Sequence, residues 1–553
     1  MIQTNSDRYG LIRGRGESEG RYARAYDRPD RTMLRVLRDR AVDRADHVWL
    51  DCDDGRTLTF AEASRRVNQV GHAIVRDAGS GAHLALMLRN QVEFFPAFYG
   101  AHAANGVTVP LNAELRGLHL SSAIAASEAS ILVVRDELFE RLLDIDSLGS
   151  VQKVVVCGDM PDVPGWNGVA VVGWDDWLAG TSDAPPCPLP AWTDTAVIQF
   201  TSGTTGRAKG VVFPHHYLYM ASAVVADSLD RSSDDVLFTP LPVFHVGGLH
   251  FVPNSALHAG CTAVIRRQFS PSKFWDEVIA CGADFAMILG PMVALVDKLV
   301  RDVPEHGVET IFCVPQPPDL EGFEERARVR VLWQGYGMTE IHPLPARRDL
   351  LPDRPPGTLG SPVDWVEFGV VDEDDNLLGP GEVGELVFRS NLPHAMFREY
   401  YNDPAETVRA FRNFMFHTGD LATYDEDAVL QFRGRKQDRI RRRGEMVGAM
   451  EVELAVLGHP DVMEAAAYAV PAELGEDDIK LDVVVQNELA LDVLHRWCVA
   501  NLPKYMVPRY LQRREHFPKT PSERIEKYKL VDDDTGASAV YDADDSAGSV
   551  GRP

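Results

Sequence analysis

The chain has 553 residues, 82 of them acidic and 56 basic, which gives a formal net charge of −26. Because this length exceeds what one hydrophobic core usually organises, the sequence predicts at least two domains. The acidic balance gives no overall basic field for nucleic acid or an anionic membrane, so no nucleic-acid partner is expected. The seven cysteines never follow CxxC spacing, which argues against a disulfide framework or a zinc site.

The two ends of the chain differ in composition from the rest. Residues 1–28 are polar and arginine-rich, and residues 532–553 are acidic and poor in aliphatic side chains. Both segments are predicted to be disordered. No apolar signal-peptide core and no run of 18 apolar residues occurs, which predicts a cytoplasmic protein without membrane insertion.

Between these ends, helix-like and strand-like stretches alternate. FAEASRRVNQVGHAIV has helical periodicity, whereas AVIQF (196–200), TAVIRR and GELVFRS are β-branched runs typical of strands. The alternation predicts an α/β fold of stacked sheets and helices. The dense basic stretch RGRKQDRIRRRGE places a boundary between a large domain, 29–435, and a small α+β domain, 436–531.

The strongest motif, TSGTTGRAKG, directly follows the strand-like AVIQF. Its glycines let backbone N–H groups turn towards phosphate oxygens, its hydroxyls add donors, and Lys209 adds positive charge. It is not a Walker A loop, because Lys209 is followed by glycine rather than serine or threonine. The predicted nucleotide-binding residues of this loop are Thr201, Ser202, Gly203, Thr204, Thr205, Gly206 and Lys209.

Further motifs follow in a fixed order: PLPVFHVGG (240–248), GYGMTE (335–340), HTGD (417–420) and GRKQD (434–438). With the loop, they resemble the AMP-forming acyl-CoA synthetase (acyl-CoA ligase) branch of the adenylate-forming superfamily, which includes peptide-synthetase adenylation domains and firefly luciferase. The resemblance covers about residues 30–530. It implies an enzyme that makes an acyl-CoA thioester from a carboxylic acid through an acyl-adenylate, using ATP or acyl-AMP, Mg²⁺ and coenzyme A.

The resemblance also implies roles for single residues. In GYGMTE, Tyr336 offers a flat face to adenine, Thr339 a hydroxyl to phosphate and Glu340 a hard oxygen to Mg²⁺, with Gly337 and Met338 between them. An ordinary strand and turn is the alternative for this motif alone. Asp420 matches the carboxylate that holds the ribose hydroxyls, and Arg435 matches an arginine that reaches the nucleotide.

The acyl group is expected beside His245, which resembles the family residue that borders the acyl pocket and gates pantetheine entry. Gly247, Gly248 and Gly335 would let the acyl group pass close to backbone. A core histidine beside a turn is the alternative for His245. Where the family has a GGAPL-like turn bordering adenine, this chain has CVPQPP from Cys313.

The C-terminal domain of such enzymes rotates about a hinge, which matches Gln437 here. Arg443, Gly444 and Glu445 resemble the segment that lines the pantetheine tunnel and binds CoA. The neighbouring Arg439, Arg441 and Arg442 complete, with Arg443, a cationic cluster for CoA phosphates, although a solvated charged face is the alternative.

One departure from the family stands near the C-terminus, where PKTPSERIEK aligns with the family segment PKTxSGKIxK. The family Gly-Lys pair has become Glu523-Arg524. That lysine bridges the substrate carboxylate and the α-phosphate during adenylation and is largely dispensable for thioester formation. Arginine keeps the charge but not the compact ammonium geometry. At ~4 Å and an effective dielectric of ~20, repulsion by Glu523 amounts to about 4 kcal/mol, or about a thousandfold in rate.

The sequence therefore predicts catalytic roles for His245, Lys209, Glu523 and Arg524, with thioesterification retained and adenylation weak or lost. A separate adenylating enzyme could then supply acyl-AMP. Three alternatives stay open: an ordinary two-step acyl-CoA synthetase, in which Arg524, Lys519 or Lys527 serves instead; a carrier-protein acylating enzyme; and a non-catalytic nucleotide-binding protein.

Overall fold

The computed structural model describes residues 10–16, 20–53, 55–163, 168–201, 209–314, 316–317, 319–344, 357–442, 445–471, 477–520, 525–530 and 540–543. Its α-helices are α1 Met33–Asp43, α2 Phe60–Ala78, α3 Phe94–Ala103, α4 Gly117–Ser127, α5 Asp136–Leu143, α6 Trp174–Leu178, α7 His215–Ser228, α8 Val246–Leu249, α9 Ser255–Ala259, α10 Phe274–Cys281, α11 Gly290–Leu299, α12 Leu320–Ala327, α13 Pro404–Ala410, α14 Ala449–Leu457 and α15 Leu491–Asn501. A π-helical turn, His250–Asn254, joins α8 to α9. Short 3₁₀ turns lie at Arg28–Asp30, Arg412–Phe414, Lys436–Asp438 and Lys527–Lys529.

The strands run the length of the chain. They are β1 Ile12–Arg13, β2 Val48–Cys52, β3 Thr57–Thr59, β4 His83–Met87, β5 Val107–Pro110, β6 Ile131–Arg135, β7 Lys153–Cys157, β8 Ala170–Gly173, β9 Thr195–Thr201, β10 Lys209–Pro214, β11 Val236–Thr239, β12 Thr262–Ile265, β13 Phe285–Met287, β14 Thr310–Phe312, β15 Arg330–Leu332, β16 Tyr336–Met338, β17 Ile341–Leu344, β18 Thr358–Gly360, β19 Val366–Val371, β20 Gly384–Ser390, β21 Phe416–Tyr424, β22 Leu430–Arg435, β23 Arg439–Arg442, β24 Glu445–Gly448, β25 Val462–Pro471, β26 Asp477–Val485, β27 Tyr510–Arg513 and β28 Tyr541–Asp542.

The large N-terminal domain is built on three sheets. The first has the order β10-β9-β5-β4-β6-β7-β8, and the second has the order β15-β14-β13-β11-β12-β2-β3. Both are parallel except at one edge pair each, β9–β10 and β2–β3. The third, β1-β19-β20-β21-β22-β18, is antiparallel. Because the carboxyl ends of parallel strands form one edge of a sheet, β9 ends at that edge of the first sheet, and β11 and β15 end at that edge of the second.

The sequence patterns explain these elements locally. The predicted helix FAEASRRVNQVGHAIV is α2, and a capping box closes its start, since Thr59 and Glu62 each bond the other's backbone N–H. The predicted strand runs are β9, β12 and β20. The strands β4, β6 and β7 are buried almost throughout, as expected of parallel strands covered on both faces.

A smaller domain follows, with the sheet order β25-β26-β27-β28 and helices α14 and α15. Its hydrophobic cluster, from Ile440 to Leu511, is distinct from the main cluster of the large domain. The predicted α/β fold class, with a large N-terminal and a smaller C-terminal domain, is confirmed. The domain limits at 29–435 and 436–531 stay a prediction.

The two ends are more ordered than expected where the structure describes them. Ile12 pairs with Phe368 of β19, and Tyr22 and Ala23 are buried in the main core. Near the C-terminus, Tyr541 pairs with Leu511, and the Arg509 guanidinium bonds the Asp542 carboxylate at 3.1 Å. These residues are ordered where the composition predicted disorder. A few of their backbone and side-chain groups contact residues that are distant in sequence. No helix in the described ranges combines the length and apolar character needed to span a bilayer.

Candidate active site

The phosphate-loop motif begins and ends on paired strands. Thr201, the last residue of β9, lies opposite Lys209, the first of β10, and its hydroxyl donates to the Lys209 carbonyl oxygen at 3.4 Å. The hairpin thus fixes both ends of the motif at the carboxyl edge of the first sheet. The predicted loop residues Ser202, Gly203, Thr204, Thr205 and Gly206 lie outside the described residues.

The Lys209 ammonium is held in a polar cluster. Its Nζ lies 2.5 Å from Oε1 of Glu406 and 5.1 Å from the centre of the Tyr400 ring. The Tyr400 hydroxyl in turn donates to Glu340 Oε1 at 2.8 Å. The structure therefore brings together two predicted nucleotide residues, Lys209 and Glu340, that are far apart in sequence.

Tyr400 and Glu406 were missed by the sequence reasoning. The segment 398–401 runs along β10, with the Tyr401 N–H donating to the Gly210 carbonyl at 2.6 Å. Glu406 then sits in the first turn of α13, which Asp403 caps by accepting from the Glu406 N–H at 3.0 Å. The Asp-Pro capping signal predicts a helix start, but nothing in it reveals that the helix faces Lys209.

GYGMTE forms a short antiparallel ribbon after β15. Gly335 is buried, Tyr336 to Met338 form β16, and Thr339 and Glu340 make the turn into β17. The Tyr217 hydroxyl donates to the Thr339 carbonyl at 2.9 Å, which anchors this turn. Burial raises the pKa of Glu340.

Asp420, the carboxylate predicted to bind ribose, is hydrogen-bonded to Tyr336, the ring predicted to face adenine. Asp420 is 2% exposed, and its Oδ2 accepts from the Tyr336 hydroxyl at 2.6 Å. Burial first, and the Asp420 charge second, raise the pKa of Tyr336, so the phenol keeps its proton. Arg435 lies opposite Asp420 in the β21–β22 pair, and its Nε is 2.7 Å from Asp420 Oδ1. Three predicted nucleotide residues thus form one group, joined by a hydrogen bond and an ion pair.

A second ionic group is centred on Glu385 and includes Lys436, the residue after Arg435. Glu385 on β20 receives the Lys436 ammonium at 3.0 Å and the Gly419 N–H at 3.1 Å, and His417 Nδ1 lies 3.4 Å away. Burial alone would raise the pKa of Glu385, but the hydrogen bonds from His417 and Lys436 outweigh it and lower the pKa to about 2. Glu385 therefore ties the residue before the predicted hinge to the HTGD strand.

His245 and the two glycines that follow Val246 lie at the start of α8. His245 precedes α8, and its Nδ1 accepts from the Gly247 N–H at 3.2 Å, so the imidazole serves as a helix cap. A Cβ on Gly248 would lie 2.3 Å from the Pro242 carbonyl oxygen, so the local turn itself requires glycine there. Gly247 is not crowded in this way, since its nearest neighbour would be 3.6 Å away.

Several predicted residues lie outside the described part. These are Arg443, Gly444, Glu523 and Arg524, together with the side chains of Gln437, Arg439, Arg441 and Glu445. Arg442 is described, and it is not a surface cation as the predicted cluster requires. It is 5% exposed, its Nε lies 3.3 Å from Asp478 Oδ1, and it donates to the Val507 carbonyl. The Arg442 guanidinium is therefore paired with a carboxylate of the C-terminal domain, Asp478.

The described side chains contain no cluster of three or more His, Cys, Asp or Glu residues that could hold a metal ion by themselves. A magnesium ion that accompanies a nucleotide needs only one or two protein carboxylates, because phosphate oxygens and water complete its shell. The buried Glu340 carboxylate beside Lys209 fits that donor set.

Comparison with known proteins identifies the family of this chain. The model of the AMP-binding enzyme family matches residues 37–401, and that of the AMP-binding enzyme C-terminal domain matches residues 451–524. The chain therefore belongs to the AMP-binding enzyme family, which confirms the resemblance inferred from the motifs.

Among curated relatives, the crotonobetaine/carnitine–CoA ligase of Salmonella typhi is 28% identical over 494 residues, which are 86% of this chain and 93% of the relative. Among solved structures, the anthranilate CoA ligase AuaEII in complex with anthranoyl-AMP has a TM-score of 0.81 at 22% identity and covers 90% of this chain and 96% of its own. A benzoate CoA ligase from Burkholderia xenovorans LB400 has a TM-score of 0.78 at 20% identity and covers 91% of this chain and 100% of its own. At these identities the structures show the shared fold.

Proposed function

We propose that this protein transfers the acyl group of an acyl-adenylate to coenzyme A, and that it makes the adenylate itself slowly or not at all. The first half of the proposal is supported by family membership and by relatives that are named CoA ligases. The second half is supported by the Glu523-Arg524 pair and by the state of the two neighbouring lysines.

The nucleotide half of the substrate would occupy the Tyr336–Asp420–Arg435 group. The Asp420 carboxylate can accept hydrogen bonds from both ribose hydroxyls, and the Tyr336 ring, 5.9 Å from Phe388, offers an aromatic face to adenine. Lys209 and the loop of Thr201 would hold phosphate oxygens. Glu340 would hold Mg²⁺, which neutralises phosphate charge when bound.

The two lysines on either side of the Glu523-Arg524 pair, Lys519 and Lys527, are each ion-paired with a carboxylate of the C-terminal domain. This observation carries the proposal. Lys519 Nζ lies 2.7 Å from Glu464 Oε2. Lys527 Nζ lies 2.7 Å from Glu453 Oε1 and 3.6 Å from Asp438 Oδ2. If either lysine replaced the family lysine, it would leave a carboxylate of its own domain without its cation. For Glu453, whose side chain is 16% exposed, that loss is costly, because a largely buried charge without a partner is strongly destabilising.

Thioester formation makes no demand on those lysines. The CoA thiolate attacks the acyl carbonyl carbon, the acyl–phosphate bond breaks, and AMP leaves with the electron pair. Lys209 and Arg435 would bind the phosphate and the nucleoside of that leaving group. His245 would border the path of the thiol, and the Gln437 hinge and the Arg443-Gly444-Glu445 segment would bring the C-terminal domain against it.

Two incubations separate the two half-reactions. Purified protein receives a panel of acids with ATP, Mg²⁺ and CoA in one, and the corresponding synthetic acyl-AMPs with CoA in the other. We expect acyl-CoA from acyl-AMP at a rate at least a hundredfold above that from free acid. Rapid pyrophosphate release from ATP with a free acid would contradict the loss of adenylation and favour an ordinary two-step ligase.

The double variant Glu523→Gly with Arg524→Lys should raise ATP–pyrophosphate exchange while leaving the acyl-AMP reaction nearly unchanged. Arg496→Lys is the matched control, because Arg496 is an exposed arginine of the same domain that pairs only locally with Asp492. Transfer to a carrier phosphopantetheine in place of CoA would support the carrier-protein alternative. Binding of acyl-AMP without any transfer would support the non-catalytic one.

A further inference from the structure

Two imidazoles meet in the interior, and three of their four ring nitrogens have no hydrogen-bond partner. The rings of His250 and His342 are 5.3 Å apart between centres and inclined at 73°. His250 is 0% and His342 is 7% exposed. Both nitrogens of His250, and Nε2 of His342, lack a hydrogen-bond partner. Three polar atoms are therefore buried without a partner in one small region.

Leaving these atoms unpaired is unfavourable. Each buried polar group without a hydrogen bond costs about 1–3 kcal/mol, and native proteins contain few of them. Burial, followed by the neighbouring His245, lowers the pKa of His342 to about 4, and burial likewise lowers the pKa of His250. Both rings are thus neutral at pH 7, and each carries one N–H donor and one lone pair.

The position of His250 ties the pair to the region predicted for the acyl group. His250 opens the π-helical turn His250–Asn254, one turn after His245 and α8. π-Helical turns inside α-helices are rare and concentrate at functional sites. At the far end of this turn, Asn254 Oδ1 accepts from the Tyr99 hydroxyl at 2.5 Å, while its Nδ2 has no partner.

His342 reaches the same place from the nucleotide side. It lies on β17, two residues after Glu340, and packs over the backbone of Gly337, where a Cβ would be 2.7 Å from its Nδ1. The pair therefore joins the element of His245 to the GYGMTE ribbon. In the proposed function, the acyl group of an adenylate bound at the GYGMTE ribbon would extend towards His245, and the pair lies between these two elements.

We propose that His250 and His342 recognise a hydroxyl group on the acyl chain, and that the preferred substrates are hydroxy acids. A hydroxyl both donates and accepts, so it matches two neutral imidazoles, one offering N–H and the other a lone pair. A second carboxylate could accept the imidazole N–H groups but has no hydrogen to donate to the imidazole lone pair, and a hydrocarbon chain would leave the nitrogens unpaired. This assignment rests on the proposed function, since it presumes an acyl-adenylate in the site.

Matched pairs of non-hydrolysable acyl-sulfamoyl adenosines test the proposal by calorimetry: 3-hydroxybutyryl against butyryl, and 4-hydroxybenzoyl against benzoyl. A site built for a hydroxyl discriminates strongly against an analogue without it. We expect the hydroxylated partner to bind at least tenfold tighter in at least one pair. That preference should fall below twofold in His250→Phe and in His342→Phe. Equal affinities in both pairs for the unaltered protein would overturn the proposal, as would a preference that survives both substitutions.

His215→Phe is the matched control. His215 is also buried with an unpaired Nδ1, but it starts α7 and packs against His102, 4.8 Å away between ring centres. It should keep the preference. Thermal melting checks that each variant folds, and if neither phenylalanine variant folds, the comparison in the unaltered protein decides alone.

The binding measurement needs no CoA, so its outcome is separate from that of the proposed function. A hydroxyl preference without thioester formation from acyl-AMP would defeat the proposed function and leave this site standing. Thioester formation from both members of each pair, together with equal affinity for both, would support the proposed function and refute the hydroxyl site.

Discussion

Replacing Glu385 by glutamine tests how the large domain holds Lys436, the residue before the predicted hinge. Glu385 is 5% exposed and bonds Lys436, with His417 beside it. Glutamine keeps the shape and can still accept the Gly419 N–H, but it removes the negative charge. We expect Glu385→Gln to destabilise the large domain and to release the Lys436 side chain.

The magnitude follows from the pKa of Glu385, which is lowered from 4.5 to about 2. One pKa unit corresponds to ~1.4 kcal/mol, so the ionised carboxylate stabilises the fold by about 3 kcal/mol at most. Because the pKa is lowered on folding, this contribution is complete above pH ~4.5 and is lost as the pH falls towards ~2. The difference between the parent protein and Glu385→Gln should therefore shrink in acid.

Thermal melting at pH 7 and pH 3.5 measures the stability difference, and limited trypsin digestion with mass spectrometry measures cleavage after Lys436. Glu367→Gln is the control. Glu367 is also a buried glutamate of the third sheet, 4% exposed, but its partners are Arg389 and Asn391. It should lose stability without faster cleavage after Lys436. A pH-independent loss in Glu385→Gln, or equal cleavage in both variants, would refute the reasoning.

Three further substitutions have clear expected outcomes. Asp420→Asn should weaken AMP binding by about ten- to a hundredfold in calorimetry, because ribose loses a charged acceptor; unchanged affinity would remove Asp420 from the nucleotide site. Glu406→Gln should tighten ATP binding by up to about tenfold, since Lys209 loses its competing carboxylate and the phosphates lose a repulsive neighbour. Weaker binding would instead make Glu406 a positioning residue. Arg514→Met should cost about 3–5 kcal/mol and lower the melting temperature of the C-terminal domain, because it strands the fully buried Asp482 carboxylate; adding Asp482→Leu should recover part of that loss.

The fold was largely predictable, because the signals that define it are local. The capping residues Thr59 and Glu62 mark the start of α2, and the β-branched runs around β9 and β20 are strands as predicted. What composition could not show is pairing at long range. Tyr22 and Ile12 lie in an arginine-rich, polar segment, yet they pack or pair with residues more than 190 positions away.

The site was predictable only where motifs carry it. Tyr336 and Asp420 were expected to share a nucleotide, and they are hydrogen-bonded. Glu406 and the His250–His342 pair were not foreseen, because neither stands in a recognisable motif and each acquires meaning only from its neighbours in space. Arg442 shows the opposite error, since a run of arginines suggests a surface patch although one of them is buried in an ion pair.

The predicted nucleotide residues Asp420 and Arg435 lie close to the predicted hinge, Gln437, which follows β22 in a 3₁₀ turn. Asp420 faces Arg435 across β21 and β22, and the next residue, Lys436, reaches back to Glu385 on β20. The predicted nucleotide residues and the residue before the predicted hinge are therefore connected through two consecutive cations, since Arg435 pairs with Asp420 and Lys436 pairs with Glu385.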